Sequence, residues 1–142
     1  MTATIAYDSV GVGTQLPSQA FPLQRVNLVR YAGASGDFNV IHWNERAATS
    51  VGLPNVIAHG MLTMAEAARV LTDWVGDPGA VVEYGVRFTR VVPVPDDGLG
   101  ALLEVTGQIT ELLEGRRVRV ELTATAAGDK VLGQARAVVQ LA

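Results

Sequence analysis

The hydrophobic pattern of the chain changes period near residue 76. Before that point, apolar positions follow a helical repeat. At 23–31, Leu23, Val26, Leu28, Val29 and Tyr31 fall near a 3.6-residue spacing that Gly33 and Gly36 interrupt, which predicts a short helix delivering a glycine-bounded loop. A helical turn follows over 45–50. From His59 to Val75 the run HGMLTMAEAARVLTDWV is rich in helix formers, free of proline and apolar on most faces, so a long, central, buried helix is expected. Gly76, Asp77, Pro78 and Gly79 stop it. Beyond them the pattern reads as strands over 80–94, 102–112, 116–125 and 130–140, the middle pair forming a hairpin around Glu114 and Gly115. Gly11, Gly13 and Pro17 punctuate the first twenty residues, and the short apolar patches around Ile5 and Phe21 predict a lead-in against the edge of the domain rather than a separate domain. A helix followed by four antiparallel strands implies an α+β fold. No repeat or linker divides the chain, so one domain over 1–142 is expected.

Composition narrows the function classes. A chain of 142 residues suffices for one core. The net charge of -3, with no run of Lys or Arg to neutralise phosphates, argues against nucleic acid. There is no cysteine, which removes disulfides, thiolate metal sites and a Cys nucleophile. No leader-like segment opens the sequence and no apolar run is long enough to span a bilayer, so no membrane association and a cytoplasmic location are expected.

Polar chemistry concentrates between Ser35 and Trp43, where Asp37, Asn39 and His42 share one loop. Five residues apart is roughly 140° around a helix, so a regular helix would not aim Asp37 and His42 together, whereas a turn between them can. A carboxylate and an imidazole converging on one small atom form a general acid–base pair, with Asn39 placed to orient either partner. The same residues also suit a plain turn, a helix cap or a hydrogen-bonded buried histidine, and spacing alone leaves these open. Gly60 stands where the long helix begins. Its N–H and the positive dipole end suit an oxyanion, although glycine at a helix start is also ordinary. His59 either contacts a ligand or positions the loop and the helix start. Two histidines without carboxylates at ligand spacing, and without HExxH, predict no metal. Gly11-Val12-Gly13 and GASGD lack the context of a dinucleotide loop and of a nucleophile elbow. Arg87 and Arg90 either attract the phosphate or acidic surface of a carrier or are simply solvated.

The segment YAGASGDFNVIHWNERAA (31–48) resembles the hydratase signature of the MaoC-like (R)-specific enoyl-thioester hydratases and dehydratases; IAHGMLTM (57–64) and VRFTRVVPVP (86–95) resemble the family's central-helix start and the strand that follows. The resemblance implies a hot-dog fold, a long central helix wrapped by a curved antiparallel sheet, with an added loop and helix segment carrying the catalytic residues. It further implies a hydro-lyase acting at the 2,3 position of an acyl thioester, with Asp37 and His42 as the catalytic pair, the Gly60 N–H as oxyanion donor, and Ser35, Asn39 and His59 as support. In dehydration His42 would take the proton at carbon 2 while Asp37 helps the 3-hydroxyl leave, a role for which burial would have to raise the Asp37 pKa. No cofactor is implied beyond the phosphopantetheine of acyl carrier protein or coenzyme A that carries the substrate. Within the family, WVGDPGAVVEYGVRFTRVVPVPDDG (74–98) is similar to the catalytic subunits of actinobacterial type II (3R)-hydroxyacyl-ACP dehydratases, which implies a heterodimer with a related hot-dog subunit. The alternatives are a homodimeric (R)-specific enoyl-CoA hydratase and a non-catalytic acyl-binding partner, the latter disfavoured by the intact pair. A thioesterase would want a carboxylate on the central helix, where only Glu66 and Asp73 stand. Val40 departs from the family's usual proline and leaves the loop less rigid.

Overall fold

The computed structural model describes residues 3–142, so the first two positions of the expected domain lie outside the described residues. Along the chain run β1 (Gln15–Leu23), α1 (Arg25–Ser35), a 3-10 turn (Val40–His42), α2 (Glu45–Ser50), α3 (Gly60–Val75), β2 (Val81–Phe88), β3 (Ala101–Leu113), β4 (Arg117–Ala126), β5 (Asp129–Lys130) and β6 (Leu132–Gln140). The strands form one antiparallel sheet in the order β1-β3-β4-β6-β2, with the short β5 paired to β4. Helix α3 lies across it, against β1, β2 and β3. A sheet curled over one long helix is the hot-dog architecture.

Alternation drives this arrangement. In β3 and β4 every second side chain is buried, including Leu103, Val105 and Ile109 on one strand and Val118, Val120 and Leu122 on the other. These meet Ala67, Val70, Leu71 and Val75 of α3, all buried. Each fully buried Val or Leu contributes about 1.5–3 kcal/mol relative to exposure, so this one face dominates the hydrophobic stabilisation. Helix α3 is less enclosed than its composition predicts. Met61, Ala65, Arg69 and Asp73 form an exposed row at four-residue spacing, because the sheet covers only one side of the helix in this chain.

Three boundaries differ from expectation. The supposed lead-in contains a full strand, β1, which tolerates Pro17 and Pro22 because it pairs only with β3 and shifts register between Leu16 and Gln19. Helix α1 runs through Gly33 and stops at Gly36, whose left-handed φ of 77° closes the end while its N–H donates to the Ala32 carbonyl at 2.9 Å. Strand β2 ends at Phe88 rather than Val94. The residues after it leave β6, and Val92 and Val94 instead bond to the backbone of Ala58 and Val56 just ahead of α3. Among the described residues no helix is long and apolar enough to cross a membrane.

Candidate active site

The loop after α1 is built from short side-chain-to-backbone bonds, each closing two residues along the chain. Ser35 Oγ accepts from the Asp37 N–H at 3.2 Å, Asp37 Oδ1 accepts from the Asn39 N–H at 3.2 Å, and Asn39 Oδ1 accepts from the Ile41 N–H at 3.3 Å. Asn39 therefore reaches Asp37 with its backbone and uses its amide oxygen to cap the 3-10 turn that carries His42. Trp43 Nε1–H donates to the Phe38 carbonyl at 3.0 Å and closes the loop from the other side.

His42 is pinned more tightly. Ile57 donates its N–H to the Ile41 carbonyl, and the ring nitrogen Nδ1 of His42 stands 2.7 Å from the Ile57 carbonyl oxygen. A carbonyl only accepts, so Nδ1 carries the hydrogen and the neutral ring keeps its lone pair on Nε2. That Nε2 faces Asp37 Oδ2 at 3.8 Å. The gap is too long for a direct hydrogen bond, yet an oxygen beside the line joining the two atoms can bond to both. The His42 side chain is 9% exposed and that of Asp37 51%, so the pair has one fixed, buried member and one open to solvent. The burial of Asp37 expected for a proton donor is thus not supplied by this chain alone.

His59 caps the start of α3. Its residue is 1% exposed, its ring stacks on His42 with centroids 3.8 Å apart at 21°, and the Tyr31 ring packs against it at 4.8 Å, tilted by 57°. Nε2–H donates to the Asp37 backbone carbonyl at 3.1 Å, which leaves Nδ1 buried with no partner among the described residues. Burial pushes the His59 pKa down, with the Asp37 carbonyl bond opposing and the neighbouring His42 assisting, so the ring is neutral. Donor atoms of Asp37, His42 and His59 lie within 4.8 Å of one another, close enough to be tested as metal ligands. The two stacked rings hold their lone pairs in nearly parallel planes, and lone pairs so directed do not converge on one ion.

A cavity of about 310 Å³ opens beside His42, with His42, Gly60, Thr63, Phe88, Arg90 and Leu132 on its wall, while Asp37 and His59 do not line it. The volume lies at the small end of ligand sites. Gly60 is the first residue of α3, so its N–H has no partner inside the helix. The absence of a side chain there admits Phe88, whose ring would stand 3.1–3.3 Å from a Cβ at that position. A larger groove, about 420 Å³, is bordered by Glu83, Arg87, Arg119 and Arg136 and includes none of the loop residues. The two candidate arginines therefore separate: Arg90 is at the cavity and Arg87 at the other groove. Thr63 and Phe88 were not singled out from the sequence. An aromatic ending a strand carries no sign that it will lie over a glycine 28 positions earlier.

The geometry suits acid–base chemistry beside a small cavity, and comparison with known proteins places the chain in a family. The family described as MaoC like domain matches residues 11–128. The chain is 40% identical over 79 residues to 3-hydroxyacyl-thioester dehydratase X of Mycobacterium tuberculosis, an alignment covering 56% of this chain and 27% of that protein. It is 32% identical over 127 residues to the (R)-specific enoyl-CoA hydratase of Rhodospirillum rubrum, covering 88% and 85% of the two. A solved structure of a MaoC-like dehydratase superposes with a TM-score of 0.95 at 44% identity, over 99% of this chain and 43% of that one. The chain thus spans about a quarter of the mycobacterial protein and under half of the solved one. With the family match running over residues 11–128, the chain belongs to the MaoC-like domain family.

Proposed function

We propose that this chain is a hydro-lyase interconverting (3R)-3-hydroxyacyl and trans-2-enoyl thioesters, with no resident cofactor beyond the carrier of the substrate. One observation carries the reading: the Ile57 carbonyl fixes Nδ1 of His42 as a donor, so that Nε2 is presented as a base beside the Asp37 carboxyl and on the wall of the cavity that Gly60 opens. In dehydration His42 Nε2 removes the proton from carbon 2 while the Gly60 N–H holds the thioester oxygen as it gains enolate character. The C2–C3 double bond forms as the C3–O bond breaks, and Asp37 passes a proton to the departing hydroxyl, which leaves as water. Hydration runs the same steps backwards. Family relatives bearing dehydratase and hydratase names support the reaction class.

Within that class we favour dehydration of acyl-ACP in fatty acid synthesis, with hydration of enoyl-CoA as the second reading, which the likeness to the Rhodospirillum enzyme supports. We further propose that a second hot-dog unit, identical or related, covers the open side of the site. Among the described residues strand β2 pairs with β6 alone and leaves its other edge free, while Phe38, Trp43 and Phe88 are at least half exposed around the cavity and loop. The test is turnover of (3R)-hydroxyacyl and enoyl thioesters on both carriers, by the purified chain and by the chain coexpressed with a related subunit. Asp37→Asn and His42→Ala should each lower kcat by about 100- to 10,000-fold in a folded protein. Wild-type rates in either variant would refute the assignment.

A further inference from the structure

His59 touches all three parts of the proposed site although the reaction does not use it. Its ring lies on His42, its Nε2–H is bonded to the Asp37 carbonyl, and the next residue along the chain is Gly60. Its own carbonyl accepts from the Thr63 N–H in the first turn of α3 and lies 3.4 Å from Thr63 Oγ1. The catalytic loop and the helix start come from segments more than twenty residues apart, and this side chain joins them directly. Its other ring nitrogen is buried without a partner among the described residues. An unsatisfied buried acceptor is costly, and an apolar residue of similar size would avoid that cost, so packing alone does not account for a histidine here.

We propose that His59 is a positioning residue: the bond from its Nε2–H to the Asp37 carbonyl holds the aspartate loop at a set distance from His42 and from the Gly60 N–H. The claim rests on the reading of Asp37 and His42 given above. It is specific to one atom. The amide nitrogen of glutamine reaches about as far from the backbone as Nε2 of histidine and can donate the same bond, whereas that of asparagine reaches only as far as Nδ1, the nitrogen that bonds to nothing. Misplacing a reacting group by about 1 Å costs on the order of 100-fold in rate, which sets the scale of the expected effect.

The experiment compares kcat and KM of His59→Gln, His59→Asn and His59→Leu with wild type and with His42→Ala, each protein checked for folding by its urea midpoint. The expected result is a kcat within about threefold of wild type for glutamine and a loss of about 30- to 100-fold for asparagine and leucine, with KM changed little. Equal activity of the glutamine and asparagine variants, high or low, would overturn the proposal. Should leucine prevent folding, the two amides, which differ only in reach, still decide it. The His42→Ala control separates the two claims: a dead control with no difference between the amides removes the role of His59 alone, whereas an active control removes the reading of the site itself.

Discussion

The role given to the Gly60 N–H can be tested by deleting that one donor while keeping the helix that carries it. Proline is well accepted at the first position of a helix, where its missing N–H has no intrahelical use. The residue before it must be extended, and His59 already has φ -58° and ψ 133°. Gly60→Pro is therefore compatible with the backbone but adds a Cβ, for which Gly60→Ala is the control. A Cβ at this position meets Phe88 Cε1 at 3.1 Å, Cδ1 at 3.2 Å and Cγ at 3.3 Å, so the ring must give by a few tenths of an ångström. Phe88 is 54% exposed in the single chain and lies outside the closed core, so the cost falls below the roughly 1–3 kcal/mol of an overpacked core. Gly60 has no left-handed φ, so alanine fits its backbone and returns about 0.4–1 kcal/mol by restricting the unfolded chain, which leaves the alanine variant within about 1 kcal/mol of wild type. Its kcat should fall less than about tenfold. Removing an oxyanion donor costs about 2.7–4 kcal/mol in the transition state, so the proline variant should be a further 100- to 1,000-fold slower than the alanine one. Steady-state turnover of an enoyl thioester with matched urea midpoints provides the assay. Equal rates in the two variants, both folded, would show that this N–H does not hold the reacting oxygen.

Arg90, on the cavity wall and only loosely paired with Asp129 at 3.8 Å, should contact the phosphate of the carrier. Arg90→Ala should then raise KM for CoA or ACP thioesters several-fold and leave the phosphate-free N-acetylcysteamine thioester unchanged, and an equal effect on all three would rule that contact out. Burial lowers the folded pKa of His59, while the unfolded chain titrates near 6.5. The unfolded state therefore binds the extra proton below that value, and stability is lost as pH falls through the window beneath 6.5, at no more than about 1.4 kcal/mol per pH unit from this group. Urea midpoints at about pH 7.5 and about pH 5.5 should fall further for wild type than for His59→Gln, and identical losses would contradict the neutral ring.

The long helix, the hairpin and the polar cluster of the loop were legible because each rests on local information. Period 3.6 over 60–75, alternation in β3 and β4, and the Gly-Asp-x-Asn run all act within a few residues. Strand β1 was hidden because Gly11, Gly13 and Pro17 read as punctuation unless the strand is known to lie at a sheet edge. Gly33 looked like a stop, but tertiary packing of Leu28 and Ala32 carries α1 past it to Gly36. Least visible were the bonds that give the loop its chemistry. The Ile57 carbonyl sets the tautomer of His42 from fifteen residues away, and His59 reaches the Asp37 carbonyl across twenty-two, distances at which sequence spacing carries no geometric information.

The central claim is that Asp37 and His42 move water across the 2,3 bond on one face of the substrate. It is tested most directly by incubating the chain, alone and with a related subunit, with a trans-2-enoyl thioester, and by determining the amount and configuration of the 3-hydroxy product by chiral chromatography. The account predicts the (3R) product from the wild type and almost none from folded Asp37→Asn. A (3S) product, or undiminished (3R) product from that variant, would contradict it.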